Sequence, residues 1–431
     1  MILSKILSKK VYSNALIHLV GRIVGVALVL LTARVVASGL GAGGSGEYEI
    51  PKVYLWTFAT ILDFGIYLIL VRMMSTAKTQ NERENIFGNF LGFRIFSGSL
   101  VYIFALFLMI FTPYNSHVKW SILILIFGQL SGDVNQVLSA NFQVDFKLWK
   151  LVFGETVGRL VELILTIIGI NLNWSLEVLI FIVALGDIVT LAISWFFVCQ
   201  EMKIKIVFDF ASWKKFLIEA FPLGVAMMFT LAYFRIDSVI LSFLKSEEDV
   251  GIYRPAFRIV EFTGIIPQIL MGTFFPILAT GSKDSAIKLA KKVSVLMTIL
   301  AIVGVLFTFL ISPYVINIYT GSDKSFLVKQ SFEIFGKSFV ATGSITALNL
   351  LIVSAIFSFP TSVLNYLLVS KEKQKLLIFP AFVGVLTSII LNIFLIPKFS
   401  YIGTSIVTCI VTFIVLILTI FQFRKYQSEK I

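Results

Sequence analysis

Apolar residues run along this chain in stretches of about 20, separated by short polar segments, and that is the length an α-helix needs to cross a bilayer. About twelve such spans are predicted, at 14–37, 50–71, 88–112, 119–141, 150–170, 176–199, 216–241, 253–276, 289–312, 346–369, 375–396 and 402–423. The region 313–345 is expected to form a long outer loop with some helix. In lipid every backbone N–H and C=O must find its partner within the protein. The pattern therefore predicts an all-α polytopic membrane protein.

Lysine and arginine set the orientation. With the N-terminus in the cytoplasm, the inner segments hold about 22 of these residues and the outer ones only 6, namely Lys119, Lys245, Lys324, Lys329, Lys337 and Lys398. That bias follows the positive-inside rule and places both termini in the cytoplasm. The polar stretch 200–215 separates two sets of six spans. The expected order is a cytoplasmic N-terminus (1–13), a six-helix bundle (14–199), a cytoplasmic linker (200–215), a second six-helix bundle (216–423) and a tail (424–431). Both sets start on the same side, as in transporters built from parallel repeats. One echo supports the repeat: Gly46-Glu47-Tyr48 opens the second span and Gly251-Ile252-Tyr253 the eighth.

Polar positions inside the spans carry the chemistry. Arg22, Arg34, Arg159, Arg235, Arg254 and Arg258 lie within otherwise apolar stretches. A charge at the bilayer centre costs about 2.5–3.5 kcal/mol on insertion scales. Most of these side chains are therefore expected to face a protein interior or a wet cavity. Arg34 and Arg254 stand near helix ends, where reaching the membrane surface is an alternative. Asn14, His18 and Arg22 share one face of the first span, with Gly21 and Gly25 beside it allowing close helix approach. Gln129, Asp133, Gln136 and Gln143 follow the helical period in the fourth span. Glu155, Arg159 and Glu162 form a stripe in the fifth, and Arg254, Arg258 and Glu261 in the eighth. Such stripes suit ion pairs, for Glu155, Arg159 and Glu162 first and for Arg258 with Glu261 as well, or a polar path. The seventh span carries Glu219, Arg235 and Asp237. An arginine-lined cavity suits an anion. Arg22 and Arg159 lie near mid-span and the other four toward the outside, so such a path draws an anion outward. An inside-negative potential pushes it the same way by about 2.3 kcal/mol per charge per 100 mV.

Composition agrees. The 431 residues are 58% hydrophobic and only 14% charged, and the mean hydropathy is +0.95. The net charge of +12 is spread over short loops, so topology accounts for it and no nucleic-acid partner is expected. Cys199 and Cys409 read as packed thiols, and His18 and His117 are too far apart in sequence to suggest a metal site. No cofactor is expected. The short basic N-terminus leads straight into a span and does not read as a cleavable signal. No phosphate-binding G-x-x-x-x-G-K-[ST] occurs, and Asp63-Phe64-Gly65 lacks the loops that give this triplet meaning in kinases. Pro222, Pro267, Pro276 and Pro360 mark kinks, and Pro222 and Pro267 are candidates for bending during transport. Trp56, Tyr67, Trp195 and Tyr233 read as interface anchors or packing residues.

Three stretches resemble a known family. They are Ala33-Arg34, Gly46-Glu47-Tyr48, Leu62-Asp63-Phe64-Gly65-Ile66 and Val71-Arg72; then Arg235-Ile236-Asp237-Ser238, Val250-Gly251-Ile252-Tyr253 and Ala256-Phe257-Arg258-Ile259-Val260-Glu261; then Asn392-Ile393-Phe394-Leu395-Ile396-Pro397 and Ile402-Gly403-Thr404-Ser405. In order and spacing the chain resembles the Wzx-type polysaccharide repeat-unit flippases. Their superfamily also holds multidrug exporters and the lipid II flippase. The resemblance implies two six-helix bundles around a central cavity, alternating access, and an undecaprenyl-diphosphate-linked oligosaccharide as cargo. It implies the bacterial cytoplasmic (inner) membrane, with membrane lipids, a polysaccharide polymerase and a chain-length regulator as candidate partners. The lipid II branch carries two further C-terminal helices, so the repeat-unit branch is expected.

The reading is a flippase, not an enzyme, carrying the unit from the inner to the outer leaflet. Arg22, Arg34, Arg159, Arg235 and Arg258 are the candidate diphosphate or glycan contacts. Asp63, Asp133, Glu155, Glu162 and Asp237 are candidates for ion coupling or structural pairing. The alternatives are a cation-coupled multidrug exporter of the same superfamily and a membrane-embedded glycan polymerase or ligase.

Overall fold

The computed structural model of the protein describes residues 9–63, 66–145, 147–334 and 337–428. The side chains of Asn14, His18, Asp63, Glu219 and Pro222 lie outside the described residues. The helices are α1 (Lys9–Asp63), α2 (Ile66–Thr76), α3 (Gln80–Met109), α4 (Ser116–Val144), α5 (Leu148–Asn171), α6 (Leu176–Cys199), α7 (Phe210–Leu244), α8 (Glu247–Thr263), α9 (Ile265–Thr280), α10 (Lys283–Thr320), α11 (Gly343–Ile352), α12 (Ala355–Ser370) and α13 (Ile378–Ser428). Each expected span falls on one helix or on two consecutive ones, to within a few residues.

Among the described residues, seven helical segments are long and apolar enough to cross a membrane by length and composition. Two of them, Val20–Thr60 and Gln374–Ser428, each hold two expected spans. The first is broken at Gly41 (φ 65°) and the second at Ser400 (φ 47°). The fifth, seventh and eighth expected spans are not among the seven, which were found among the described residues alone. Helix α5 carries the Glu155, Arg159 and Glu162 stripe, and α8 and α9 have only 17 and 16 residues. The charges that single these spans out also lower their hydropathy.

The chain divides into two compact units, one comprising the described residues up to Gly39 with Pro51–Gly224, the other Leu40–Ile50 with the residues from Val225 onward. The stretch 200–215, expected as a linker, packs within the first unit. The reason is a pair of glycines on α3. A Cβ on Gly88 would stand 2.1 Å from Lys205 O, and one on Gly92 2.1 Å from Val207 O. The bare helix surface thus receives the extended segment, and Val207 N donates to Gly88 O at 3.1 Å. Trp213 follows at 4% exposure, and Phe216 stacks on Phe90 with ring centroids 4.2 Å apart. The core below contains Phe87, Leu91, Leu138, Phe142 and Val198.

The second unit is organised around a helix contact of the same kind. A Cβ on Gly46 would stand 1.7 Å from Glu247 O, and one on Gly251 1.8 Å from Ala42 O. The two G-x-Y motifs of the sequence therefore face each other backbone to backbone, with Tyr48 and Tyr253 at 1% and 0% exposure. Gly41 supplies the positive φ that starts the second half of α1, and Ala42 N is capped by Ser325 Oγ at 2.9 Å. The 313–345 region differs from the expected loop with some helix. Helix α10 continues to Thr320 and is closed by Gly321 in the left-handed conformation. A 3₁₀ turn (Lys324–Leu327) follows, and then an antiparallel hairpin of β1 (Lys329–Ile334) and β2 (Lys337–Thr342), with Lys329 opposite Thr342. Phenylalanine, isoleucine and valine in these short strands favour the extended form.

At the end of the first unit that carries Lys147 and Lys150, Glu201 accepts from both lysines, at 2.9 and 2.6 Å, and from Asn141 Nδ2 at 2.8 Å. Burial opposes its charge, but the bonds from Lys150 and Lys147 outweigh it and hold the carboxyl below the usual glutamate range.

Two predictions follow from this packing. Gly251→Val pushes backbones apart and lowers stability by about 2 kcal/mol or more. Gly43→Ala, where an added Cβ meets nothing within 4 Å, keeps or raises it. Thermal unfolding of the purified protein distinguishes them. Because the Glu201 pKa is lowered by folding, its contribution is complete above the unfolded glutamate value of about 4.3 and is lost as pH falls through the folded value. Hydrogen exchange at 200–209 is therefore expected to accelerate on acidification below about pH 4, and Glu201→Gln removes that part of the pH dependence.

Candidate functional site

Three arginines gather in the second unit. Glu49, on the part of α1 that packs against α8, accepts from Arg254 Nε at 3.0 Å and Arg254 Nη2 at 2.7 Å. Its oxygens also lie 3.1 and 3.0 Å from Arg258 Nη2. One carboxylate is thus shared by two guanidinium groups, with side-chain exposures of 9% for Glu49, 8% for Arg254 and 14% for Arg258. The backbone contact at Gly46 and Gly251 makes this possible by bringing α1 against α8. Arg254 does not reach outward to a membrane surface. It is buried, with its guanidinium 5.5 Å from the Phe257 ring centroid. Arg235 of α7 pairs with Glu261 and lies within the field of Arg254, Arg258, Asp237 and Glu49. The pairing expected between Arg258 and Glu261 is thus exchanged for two pairings between helices. Asp237, 1% exposed, accepts from Tyr253 Oη at 2.8 Å, Thr408 Oγ1 at 3.0 Å and the Ser238 amide.

The first unit holds a second polar network. Arg94 of α3 is 4% exposed and donates to Leu62 O at 2.6 Å, Asp133 O at 3.3 Å, Asp133 Oδ1 at 3.0 Å and Gln136 Oε1 at 2.6 Å. Tyr102 Oη donates to the other oxygen of Asp133. Asp133 and Gln136 belong to the predicted α4 stripe, and Arg94 is the partner that stripe analysis missed. Asp187 of α6 was also missed; it interacts electrostatically with Glu162, Arg159, Lys52 and Asp133. Helices α1 and α5 do approach closely at the expected glycines. A Cβ on Gly21 would stand 2.2 Å from Val152 Cγ1, and one on Gly25 3.6 Å from Arg159 Nε. Arg22 and Arg34 are exposed, whereas Glu155, Arg159 and Glu162 are half-buried. Among the described residues no ion pair joins Glu155 to Arg159.

The structure therefore brings together Arg235, Arg258 and Asp237 in one unit and Arg159, Glu162 and Asp133 in the other. It adds Glu49, Arg254, Arg94 and Asp187. A signal for Glu49 was present in the sequence: it follows Gly46 by three positions, as Arg254 follows Gly251. Removing Glu49 leaves the buried Arg254 and the half-buried Arg258 without their carboxylate. Glu49→Ala is expected to cost about 3–5 kcal/mol of stability, read as a lower unfolding temperature. Adding Arg254→Met to that variant recovers part of the loss.

Comparison with known proteins places this architecture. Residues 7–282 match the family described as polysaccharide biosynthesis protein. No curated protein matches the chain. Solved structures do. One is an inward-facing multidrug resistance MATE family transporter of the MOP superfamily, with TM-score 0.72 and 16% identity over 94% of this chain and 94% of that one. Another is the lipid II flippase MurJ in an inward closed conformation, with TM-score 0.74 and 15% identity over 96% of this chain and 87% of that one. A third is a MOP superfamily transporter from Pyrococcus furiosus, described as having a binding pocket of reversed polarity, with TM-score 0.63 and 14% identity over 97% and 96%. At these identities the likeness is one of fold. The match of the family over most of the chain, on a polytopic helical fold shared with these transporters, shows that the chain belongs to the polysaccharide biosynthesis protein family.

Proposed function

We propose that the protein is a flippase that moves a lipid-diphosphate-linked oligosaccharide repeat unit from the cytoplasmic to the outer leaflet of the bacterial inner membrane. The carrier is undecaprenyl diphosphate, and the product feeds surface polysaccharide assembly, with a polymerase and a chain-length regulator downstream. The observation that carries this reading is the single Glu49 carboxylate held by Arg254 and Arg258 together. Guanidinium forks match phosphate oxygens as well as carboxylate oxygens. A diphosphate offers more charge and more oxygens than one carboxylate, so it competes with Glu49 for both arginines. The family of the chain supplies the biosynthetic context, and the MurJ fold an example of a lipid-linked cargo.

In this reading Arg235, Arg254 and Arg258 receive the diphosphate in the second unit. Arg22, Arg34 and Arg159 contact the diphosphate or the glycan from the first. Asp63, Asp133, Glu155, Glu162 and Asp237 serve coupling to an ion gradient or pairing of the arginines.

Deletion of the gene is expected to abolish the surface glycan and to leave single lipid-linked units on the inner leaflet. Complementation with Arg258→Lys, which keeps the charge and loses the fork, restores transport at about a tenth of the wild-type rate or less, one lost charge-assisted bond being worth about 1.5–3 kcal/mol. An intact glycan with altered tolerance to toxic cations would overturn the reading in favour of a drug exporter. Single units on the outer leaflet would overturn it in favour of a polymerase.

A further inference from the structure

A cavity of about 490 Å³ opens at one end of the first unit, away from the charged networks of the spans. Its walls come from the start of α3 and the start of α7, with Met73 of α2. Lys78, Arg83 and Lys214 lie close by in sequence, so the positive-inside rule makes this the cytoplasmic end. Asn81, Asn85 and Asn89 all line the cavity and stand four residues apart, on one face of α3.

Several polar groups of the wall are already used. Thr79 Oγ1 accepts from Glu82 N at 3.2 Å, and Glu82 Oε2 accepts from Lys78 N at 2.8 Å, which caps α3. Ser212 Oγ donates to Asp209. The carboxamides are not used in this way. Among the described residues the side chains of Asn81 and Asn85 make no hydrogen bond. Asn89 is fixed in place, its Nδ2 donating to the backbone O of Asn85 at 3.2 Å and its backbone carbonyl accepting from Trp213 Nε1 at 3.2 Å. Its Oδ1 is nevertheless buried and without a partner. Such an orphaned acceptor costs about 1–3 kcal/mol unless a donor arrives.

We propose that this cavity binds a neutral, hydroxyl-rich ligand, namely a sugar residue of the cargo as it is loaded; this rests on the flippase reading above. Charge in the wall itself favours a neutral occupant, because Lys215 is offset there by Glu82 and by Asp209 beside it, while Arg83 close by is taken by Asp145. A phosphate would need cations that the cavity does not gather. Each carboxamide both donates and accepts, which matches the adjacent hydroxyls of a sugar ring. Met73, Ile86 and Phe216 supply an apolar wall for the C–H face of the ring. The volume lies in the range of small-molecule sites, about 300–1,000 Å³. The site holds the glycan at the loading side, while the arginines deal with the diphosphate.

The test is equilibrium binding by the purified full chain in detergent. One probe is the lipid-free oligosaccharide released by mild acid from the host's lipid-linked repeat unit. The other is undecaprenyl diphosphate without sugar. The double variant Asn81→Ala with Asn85→Ala, at two exposed positions, is expected to weaken oligosaccharide binding about tenfold and to leave sugar-free lipid binding unchanged. Oligosaccharide binding equal to that of the wild type in the double variant overturns the site and leaves the flippase reading standing. If the wild type binds neither probe, both are overturned. Loss of binding in Lys215→Met alone, with competition by inorganic phosphate, marks an anion site and overturns the sugar assignment. Competition by phosphatidylglycerol vesicles but not by excess oligosaccharide assigns the cavity to a lipid headgroup and overturns it equally.

Discussion

Glu49 accepts hydrogen bonds from Arg254 and Arg258 at once, and much of the second unit serves to make that shared carboxylate possible. A buried ion pair recovers its desolvation cost only when its geometry is good and its hydrogen-bonding groups are satisfied. Here the geometry comes from two glycines. Gly46 and Gly251 let α1 and α8 touch backbone to backbone, and the charged positions three residues further on then meet. Gly41 and Ser325 set the direction in which α1 re-enters this contact. Tyr48 and Tyr253 close it from water, and Tyr253 also ties the contact to Asp237.

The fold was largely legible in the sequence, because a span is written locally. A run of about 20 apolar residues needs no knowledge of its neighbours, and the two breaks at Gly41 and Ser400 fall between predicted spans. Less legible were features decided by tertiary contact. The stretch 200–215 has the polarity of a linker, yet Gly88 and Gly92 turn it into a packed strap of the first unit. The hairpin at 329–342 is short, and each of its strands opens on a lysine and further polar residues.

The charged site was legible in composition and not in connectivity. Helical spacing put Arg258 and Glu261 on one face, and that observation holds; what spacing cannot say is whether a better partner waits on another helix. Arg235 took Glu261, and Arg258 took Glu49. Arg94 and Asp187 escaped notice for another reason. Each is a single charge inside a convincing apolar run, with no companion on its own helix to form a stripe, and its partners come from elsewhere in the unit. In membrane helices an isolated charge therefore deserves as much weight as a stripe, since its cost obliges the fold to answer it.

The partners also set the buried arginines apart from one another. Arg94 donates to the backbone carbonyls of Leu62 and Asp133 as well as to side chains. A ligand anion that replaced these would orphan buried carbonyls, at a cost its own bonds must first offset. Arg94 is therefore a strut. Arg254 instead donates to a side-chain carboxylate. In the proposed reading a cargo anion takes the place of Glu49 on both guanidinium groups, and the group it displaces is a side-chain carboxylate and not a backbone carbonyl. Arg94 on its backbone carbonyls is thus the fixed form of this chemistry, and the pairing of Arg254 with Glu49 is the form on which the proposed exchange with a cargo anion rests.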